Sequence, residues 1–510
     1  MSANTTTPEE PLPPRVTFGV ELEFLVAFRL SDNDVDPLSN VKGLPGLFKV
    51  PVQEPYAEEA LQLAIMDLFE NQGLEVGVKT HRYRNEYAKR VLNEFSHWNI
   101  GNDPTIQPDE SNAEYNWGRC GWVDVEIGSP VEPAVPGAFE IVDYVRQLMT
   151  SNFRCRVNPS CGLHVHVGKG SERYDLRDMR RISSLIWSAE HLFVSLNHPS
   201  RQATYMTPTC RTRSKISGGR GLGPVHERMP AGPQQCLDYL AAEIRHGEEP
   251  IAWKEMHQLK VYRDGFLETR QDGHYEPFQS KNPDDPPSDA DVLAEENMPS
   301  IHEEILGRAE KMAAKSGFQL SAEPSRPIRT RRIGQVVNPR YTPEQLDALA
   351  ESVKDYGGAG LTFDNLAKDP GVFEGVRQLY ESPSSCDISW LMYPGGRGYV
   401  NFTMYDCGEL RDLFGKRTIE FRGAEGTLDS WVTTWARICV GMIKFALYSP
   451  VDEFLRVLTK CDRSNRGIED FDCIDFLDEI GLPAEAILAE DHLMENEEAW
   501  GMKYDLPKSK

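Results

Sequence analysis

In the run 158–168, NPSCGLHVHVG, two histidines stand two residues apart inside an apolar, β-branched stretch. Strand alternation sends His164 and His166 to one face and Leu163, Val165 and Val167 to the other. Imidazole is a frequent metal ligand, and two rings on one face can converge on one ion or one phosphate. Three other segments repeat the design with carboxylates. Residues 17–25, TFGVELEFL, put Glu21 and Glu23 together; residues 122–128, WVDVEIG, do the same for Asp124 and Glu126. Residues 416–423, KRTIEFRG, align Thr418, Glu420 and Arg422 opposite Ile419 and Phe421.

Carboxylates two residues apart on a strand lie roughly 6.5–7 Å from each other, so a charged pair repels by about 2 kcal/mol at an effective dielectric near 20. A divalent cation between them turns that cost into a binding site. Oxygen ligands suit Mg²⁺ or Mn²⁺, and an added histidine tilts the choice slightly toward Mn²⁺. The plainer alternative is that four amphipathic strands line a solvated face.

The rest of the composition narrows the setting. With 40% hydrophobic and 26% charged residues, the 510-residue chain reads as globular and long enough for more than one domain. No apolar run approaches the roughly 20 residues of a membrane span. The first residues carry neither a basic region nor an apolar core, so the expectation is a cytoplasmic protein without a membrane partner. Ten cysteines include no CxxC pair, and Cys155 and Cys161 are expected as free thiols. A net charge of −24 argues against nucleic acid as a partner but leaves nucleotide binding open.

Covering helices are expected between the polar-faced strands. Apolar spacing marks 57–71, with Gly73 as its cap, 139–149, and 176–197 behind Asp175 as N-cap. A strongly apolar run, Leu428, Trp431, Trp435, Ile438, Met442 and Phe445, marks a helix that ends at Pro450. Residues 97–106 read as a short strand ending in a turn at Asp103, and 393–405 as a turn and a strand placing Asn401 and Thr403 on one face. The glycine-rich 217–224 lacks the context of a P-loop and reads as a mobile loop; 280–291 reads as linker, 326–332 as a solvated basic loop, 301–315 as a helix, and Thr342 as a helix cap. The expected organisation is a disordered tail at 1–14, a catalytic domain in two parts at 15–204 and 391–450, a partly disordered insertion at 205–390, and an acidic helical segment at 451–510.

In this order the pieces FGVELEF, WNIGNDPTI, VDVEIGSPV, NPSCGLHVHVG, the helix reaching Arg201, YVNF and RTIEFRGAEGTLD resemble the amidoligase family of the glutamine synthetase and glutamate-cysteine ligase superfamily. The resemblance covers about half the chain. It implies an α+β fold: a curved antiparallel sheet forming half a barrel, helices on its convex face, and ATP with Mg²⁺ or Mn²⁺ on its concave face. It implies ATP-dependent joining of a small-molecule or peptide carboxylate to an amine through an acyl phosphate. Glu21, Glu23, Glu126, Glu420 and His164 or His166 would be the metal ligands, with Asp124 a weaker candidate. His164, His166, Asn401 and Arg422 would face the nucleotide. Arg422 would serve the transferring phosphoryl group, with Arg417 and Arg201 as further candidates for phosphate or substrate carboxylate. Two rivals remain: a metal-dependent hydrolase of an amide or phosphoester, which also fits His-x-His with carboxylates, and a non-catalytic nucleotide- or peptide-binding descendant.

Overall fold

The computed structural model describes residues 16–32, 36, 38–51, 56–78, 97–108, 120–170, 174–204, 206–219, 221, 301–321, 334–337, 341–356, 369–382, 384–394, 397–405, 418–500 and 504–505. The tail 1–14, the stretches 280–291 and 326–332, part of 217–224, and Arg417 lie outside the described residues.

The strands are β1 (Thr17–Arg29), β2 (Phe48–Lys49), β3 (Val76–Val78), β4 (Trp98–Gly101), β5 (Cys120–Gly128), β6 (Glu132–Pro133), β7 (Cys155–Arg156), β8 (Gly162–Gly168), β9 (Gln335–Val336), β10 (Val400–Asn401), β11 (Ile419–Glu425) and β12 (Tyr504–Asp505). The main sheet runs β10-β11-β8-β1-β5-β4-β3, with β2, β6 and β7 paired to the long β1; β9 and β12 form a separate ribbon. All four polar-faced segments are strands, and they are consecutive in the sheet.

The result is an α+β fold on an open, mixed sheet, where a wholly antiparallel one was expected. The central pairs are antiparallel, but β3 runs parallel to β4 and β2 parallel to β1. Residues 79–97 separate β3 from β4, enough chain for the return crossover that a parallel pair needs.

One face of the sheet is apolar because the alternate residues are. Phe18, Val20, Leu22, Phe24, Val125, Ile127, Val165, Val167 and Phe421 are all buried there. Helices Ala57–Asn71, Pro136–Asn152 and Trp431–Tyr448 join the same core, and Phe18 stacks on Phe139 at 4.3 Å. The helix ends follow local chemistry. Gly73 takes φ 84° just past the first helix, and the Asp175 carboxylate accepts the Asp178 N–H at 2.7 Å to start helix Leu176–Phe193. Thr342 and Gln345 form a reciprocal cap on helix Pro343–Ser352. Helix Ile301–Ser316, from the expected insertion, docks beside helix Pro136–Asn152, with Arg308 bonded to the fully buried Glu132 at 2.5 Å. No helix among the described residues is long and apolar enough to cross a membrane. Cys155 and Cys161 are free, as expected.

Candidate functional site

Strand register brings the polar residues together in diagonal rows. Asn401 pairs with Glu420, Glu420 with His166, His164 with Glu21, Glu23 with Glu126, and Leu25 with Asp124. Because each strand alternates, the charged residues share the face opposite the helices.

They sort into two groups whose ligand atoms lie within 4.8 Å of one another: Glu21, His166 and Glu420, and Glu23, Asp103 and Glu126. In the first, His166 Nε2 lies 3.2 Å from Glu21 Oε1 and 3.6 Å from Glu420 Oε1. Its other ring nitrogen is 3.0 Å from Thr418 Oγ1, which orients the ring as a second partner does for a ligating histidine. In the second, Asp103 comes from the turn after β4, where its carboxylate accepts the Thr105 N–H at 2.7 Å. Glu23 Oε2 accepts the Gly162 N–H at 2.6 Å. Glu23 Oε1 is buried without a hydrogen-bond partner among the described residues. Three converging carboxylates, with a His164 ring nitrogen 3.4 Å from Glu23 Oε1, have the donor chemistry of a hard divalent-cation site, so the residues fit such an ion. Burial pushes the nearby Asp124 carboxyl above its ordinary range, and the Asp103 charge adds to that.

His164 lies between the groups, with Nδ1 3.1 Å from Glu21 Oε2 and Nε2 3.4 Å from Glu23 Oε1. The same Nδ1 lies 3.9 Å from Glu420 Oε1, so both imidazoles face the Glu21 and Glu420 carboxylates, and among the described residues the convergent group takes its nitrogen from His166. Glu420 is engaged at both oxygens: Oε1 accepts from Arg422 Nη1 at 2.5 Å and Oε2 from Asn401 Nδ2 at 2.7 Å. Burial works to raise the Glu420 carboxyl, but the charges of His166, Arg422 and His164 together hold it at about 2. Burial opposes the Arg422 charge, and the Glu420 carboxylate more than restores it.

A bulge in β11 sets the place of Arg422. Phe421 pairs with Val165 and Ala424 with Leu163, so Arg422 and Gly423 together oppose the single residue His164. A side chain at Gly423 would force its surroundings to move, because a Cβ there would fall 2.0 Å from the Tyr399 ring. Tyr399 is fully buried, and its hydroxyl accepts from Asn197 Nδ2 at 2.7 Å.

Of the sequence-derived residues, Glu21, Glu23, Glu126, His164, His166, Asn401, Glu420 and Arg422 all meet on this face. Arg417 lies outside the described residues. Arg201 is buried and gives its terminal nitrogens to main-chain carbonyls, Nη2 to Arg422 at 3.0 Å and Nη1 to Pro159 at 3.5 Å. Asn401 and Thr403 do not share a strand face, a correction to the alternation reading. β10 stops at Asn401, whose Oδ1 accepts the Thr403 N–H at 2.9 Å and starts a 3₁₀ turn, Thr403–Tyr405. Asp103 was visible in the sequence only as a turn residue, and its convergence with Glu23 depends on β4 pairing to β5. Tyr399 and Glu425 lie inside the quoted pieces YVNF and RTIEFRGAEGTLD, but alternation gave neither a role at the site.

Glu425, at the end of β11, accepts the His198 N–H at 2.7 Å. Burial pushes its carboxyl up to about 7, against the lowering effect of that bond. His492 stacks flat on Trp431 with ring centroids 3.8 Å apart and approaches Glu425 Oε1 at 3.8 Å. Burial holds His492 down at about 4.

Comparison with known proteins returns a match to the family model described as "Putative amidoligase enzyme" over residues 14–215, less than half of the chain. No curated protein and no solved structure matches. The matched segment contains β1, β4, β5 and β8, hence Glu21, Glu23, Asp103, Glu126, His164 and His166, whereas Asn401, Glu420 and Arg422 come from beyond it. Residues 14–215 of this chain are thus similar to the family described as "Putative amidoligase enzyme".

Proposed function

We propose that this protein is an ATP- and divalent-metal-dependent carboxylate–amine ligase, working in the cytoplasm on small-molecule or peptide substrates through an acyl phosphate. One observation carries the reading: two three-ligand groups on neighbouring strands, one Glu/His/Glu and one all-carboxylate, with Arg422 beside the first. The reading also takes the open sheet as the half-barrel of that superfamily, with the charged face as its concave side.

In such a ligation a carboxylate oxygen bonds to the γ-phosphorus of ATP as ADP leaves. The amine nitrogen then bonds to the acyl carbon and loses a proton, while inorganic phosphate departs with the electrons of the broken C–O bond. Mg²⁺ or Mn²⁺ held by Glu21, His166 and Glu420, and by Glu23, Asp103 and Glu126, would screen the phosphate charges. Arg422 contributes a fixed positive charge where negative charge gathers, and catalysis of this kind is chiefly positioning and neutralisation. Asn401 and Thr418 hold Glu420 and His166 in their orientations, and His164 ties Glu21 to Glu23.

The test is calorimetry of ATP with Mg²⁺ or Mn²⁺ against wild type and against Glu21→Gln combined with Glu420→Gln. Metal-dependent binding by wild type, lost in the double variant, is the expected result. A folded wild type that binds no ATP with either metal would remove the ligase reading and favour metal-dependent hydrolysis.

A further inference from the structure

Arg422 sits in the β11 bulge, where the ladder to β8 is broken, yet both of its main-chain polar groups are recaptured. Its N–H donates to the Tyr399 carbonyl at 2.9 Å, and its carbonyl accepts from Arg201 Nη2 at 3.0 Å. Arg201 is only 5% exposed, and its hydrogen bonds among the described residues go to main-chain carbonyls. A guanidinium built to read phosphate or carboxylate presents its two-pronged edge to that ligand. Here Nη1 and Nη2 go to two carbonyls, those of Pro159 just before β8 and of Arg422 in β11, while Nε is buried without a hydrogen-bond partner among the described residues.

The turn that carries Arg201 is held from outside the family-matched segment. Pro199–Gln202 is a 3₁₀ turn; the N–H of His198 before it is fixed by Glu425, and Ala203 after it packs with Leu346 and Ala350 of helix Pro343–Ser352. Trp500 of the last helix meets His198 edge to face at 5.9 Å. Burial opposes the Arg201 charge, and the Glu23 and Glu425 carboxylates nearby favour it.

We propose that Arg201 is a positioning residue: it clamps the carbonyl of Arg422 in the bulge and so aims the Arg422 guanidinium, and it does not itself receive a ligand. The clamp deepens the ligase reading, on which the role of Arg422 at the phosphoryl group rests.

Two measurements test it on the full chain. Arg422 Nε is buried, with no hydrogen-bond partner among the described residues; burial slows exchange of its N–H, which should give a resolved signal in protein labelled with ¹⁵N-arginine, assigned by its loss in Arg422→Lys. Arg201→Leu should displace or broaden that signal while the Arg181 signal stays in place, since Arg181 Nε is bonded to Ala446 at a distant helix end. Arg201→Lys, which keeps one donor, should displace it less. If Arg201→Leu does not fold, Arg201→Lys decides alone: a displaced Arg422 signal supports the clamp, and an unmoved one overturns it.

The second measurement is binding of Mg²⁺ with a non-hydrolysable ATP analogue to Arg201→Lys, Arg422→Lys and the pair. Each single change should weaken binding on the order of tenfold, and the pair should be no weaker than Arg422→Lys alone, as expected of residues acting through one contact. Losses that multiply would mean that Arg201 touches the nucleotide, and would overturn the proposal. A wild type that binds no analogue sinks the ligase reading, while the Arg422 signal still decides the clamp.

Discussion

Glu425 and Glu420 lie on one strand and their carboxyls are shifted in opposite directions, because cations crowd Glu420 while at Glu425 burial outweighs the His198 N–H bond and the Arg201 charge. Glu425 holds its proton up to about 7 in the folded protein, against an ordinary glutamate value of 4.5. Its folded-state value is raised, so its contribution is fully present below about 4.5 and is lost as pH rises toward 7, where the unfolded chain has already released the proton. That difference amounts to on the order of 3 kcal/mol. Glu425→Gln should therefore flatten the decline in urea midpoint between pH 5 and 7, and a variant with an unchanged slope would contradict this account. At this scale much was legible in the sequence. Every carboxylate and histidine of the two-residue repeats faces the site, since strand alternation is fixed by backbone geometry. Asp103 escaped because it owes its place to pairing between strands, which no local pattern encodes.

At the level of elements, the four polar-faced strands and the main helices were readable from periodicity, because each buries one side against the other. The bulge in β11 was not readable. Its one mark in EFRGAE is Gly423, a residue that often accompanies a bulge, and the Tyr399 ring occupies the space that a Cβ there would need. The early end of β10 was hidden for a similar reason, since Asn401 captures the chain in a local bond. Gly423→Ala puts a methyl group into the Tyr399 ring, and overpacking of this kind costs about 1–3 kcal/mol. We expect a lower thermal midpoint together with weakened nucleotide binding. Tyr399→Ala in the same chain should recover part of the binding by making room, and no recovery would separate the bulge from that contact.

The whole molecule is more than its family-matched part. Residues 14–215 hold β1, β5 and β8, but one of the helices that cover them, Trp431–Tyr448, and the strand on the other edge of β8 from β1 come from the far end of the chain. Trp431, Trp435, Ile438, Met442 and Ile443 are buried in that helix. At about 1.5–3 kcal/mol for each large side chain, their loss alone rivals the 5–15 kcal/mol by which domains are stable. A chain ending at residue 215 should fail to fold, and a sharp thermal transition in that fragment would contradict this. The same layout has a consequence for synthesis. The ribosome delivers β8 roughly 250 residues before β11, an interval on the order of 10–50 s at 5–20 residues per second. Throughout that time residues 162–168, an apolar and β-branched run, wait without β11, one of their two partners in the finished sheet, and unpaired segments of this kind are what neighbouring chains can seize. Translation speed across the middle of the message, and the chaperones present while it is read, should therefore govern the yield of this protein more than its final stability does.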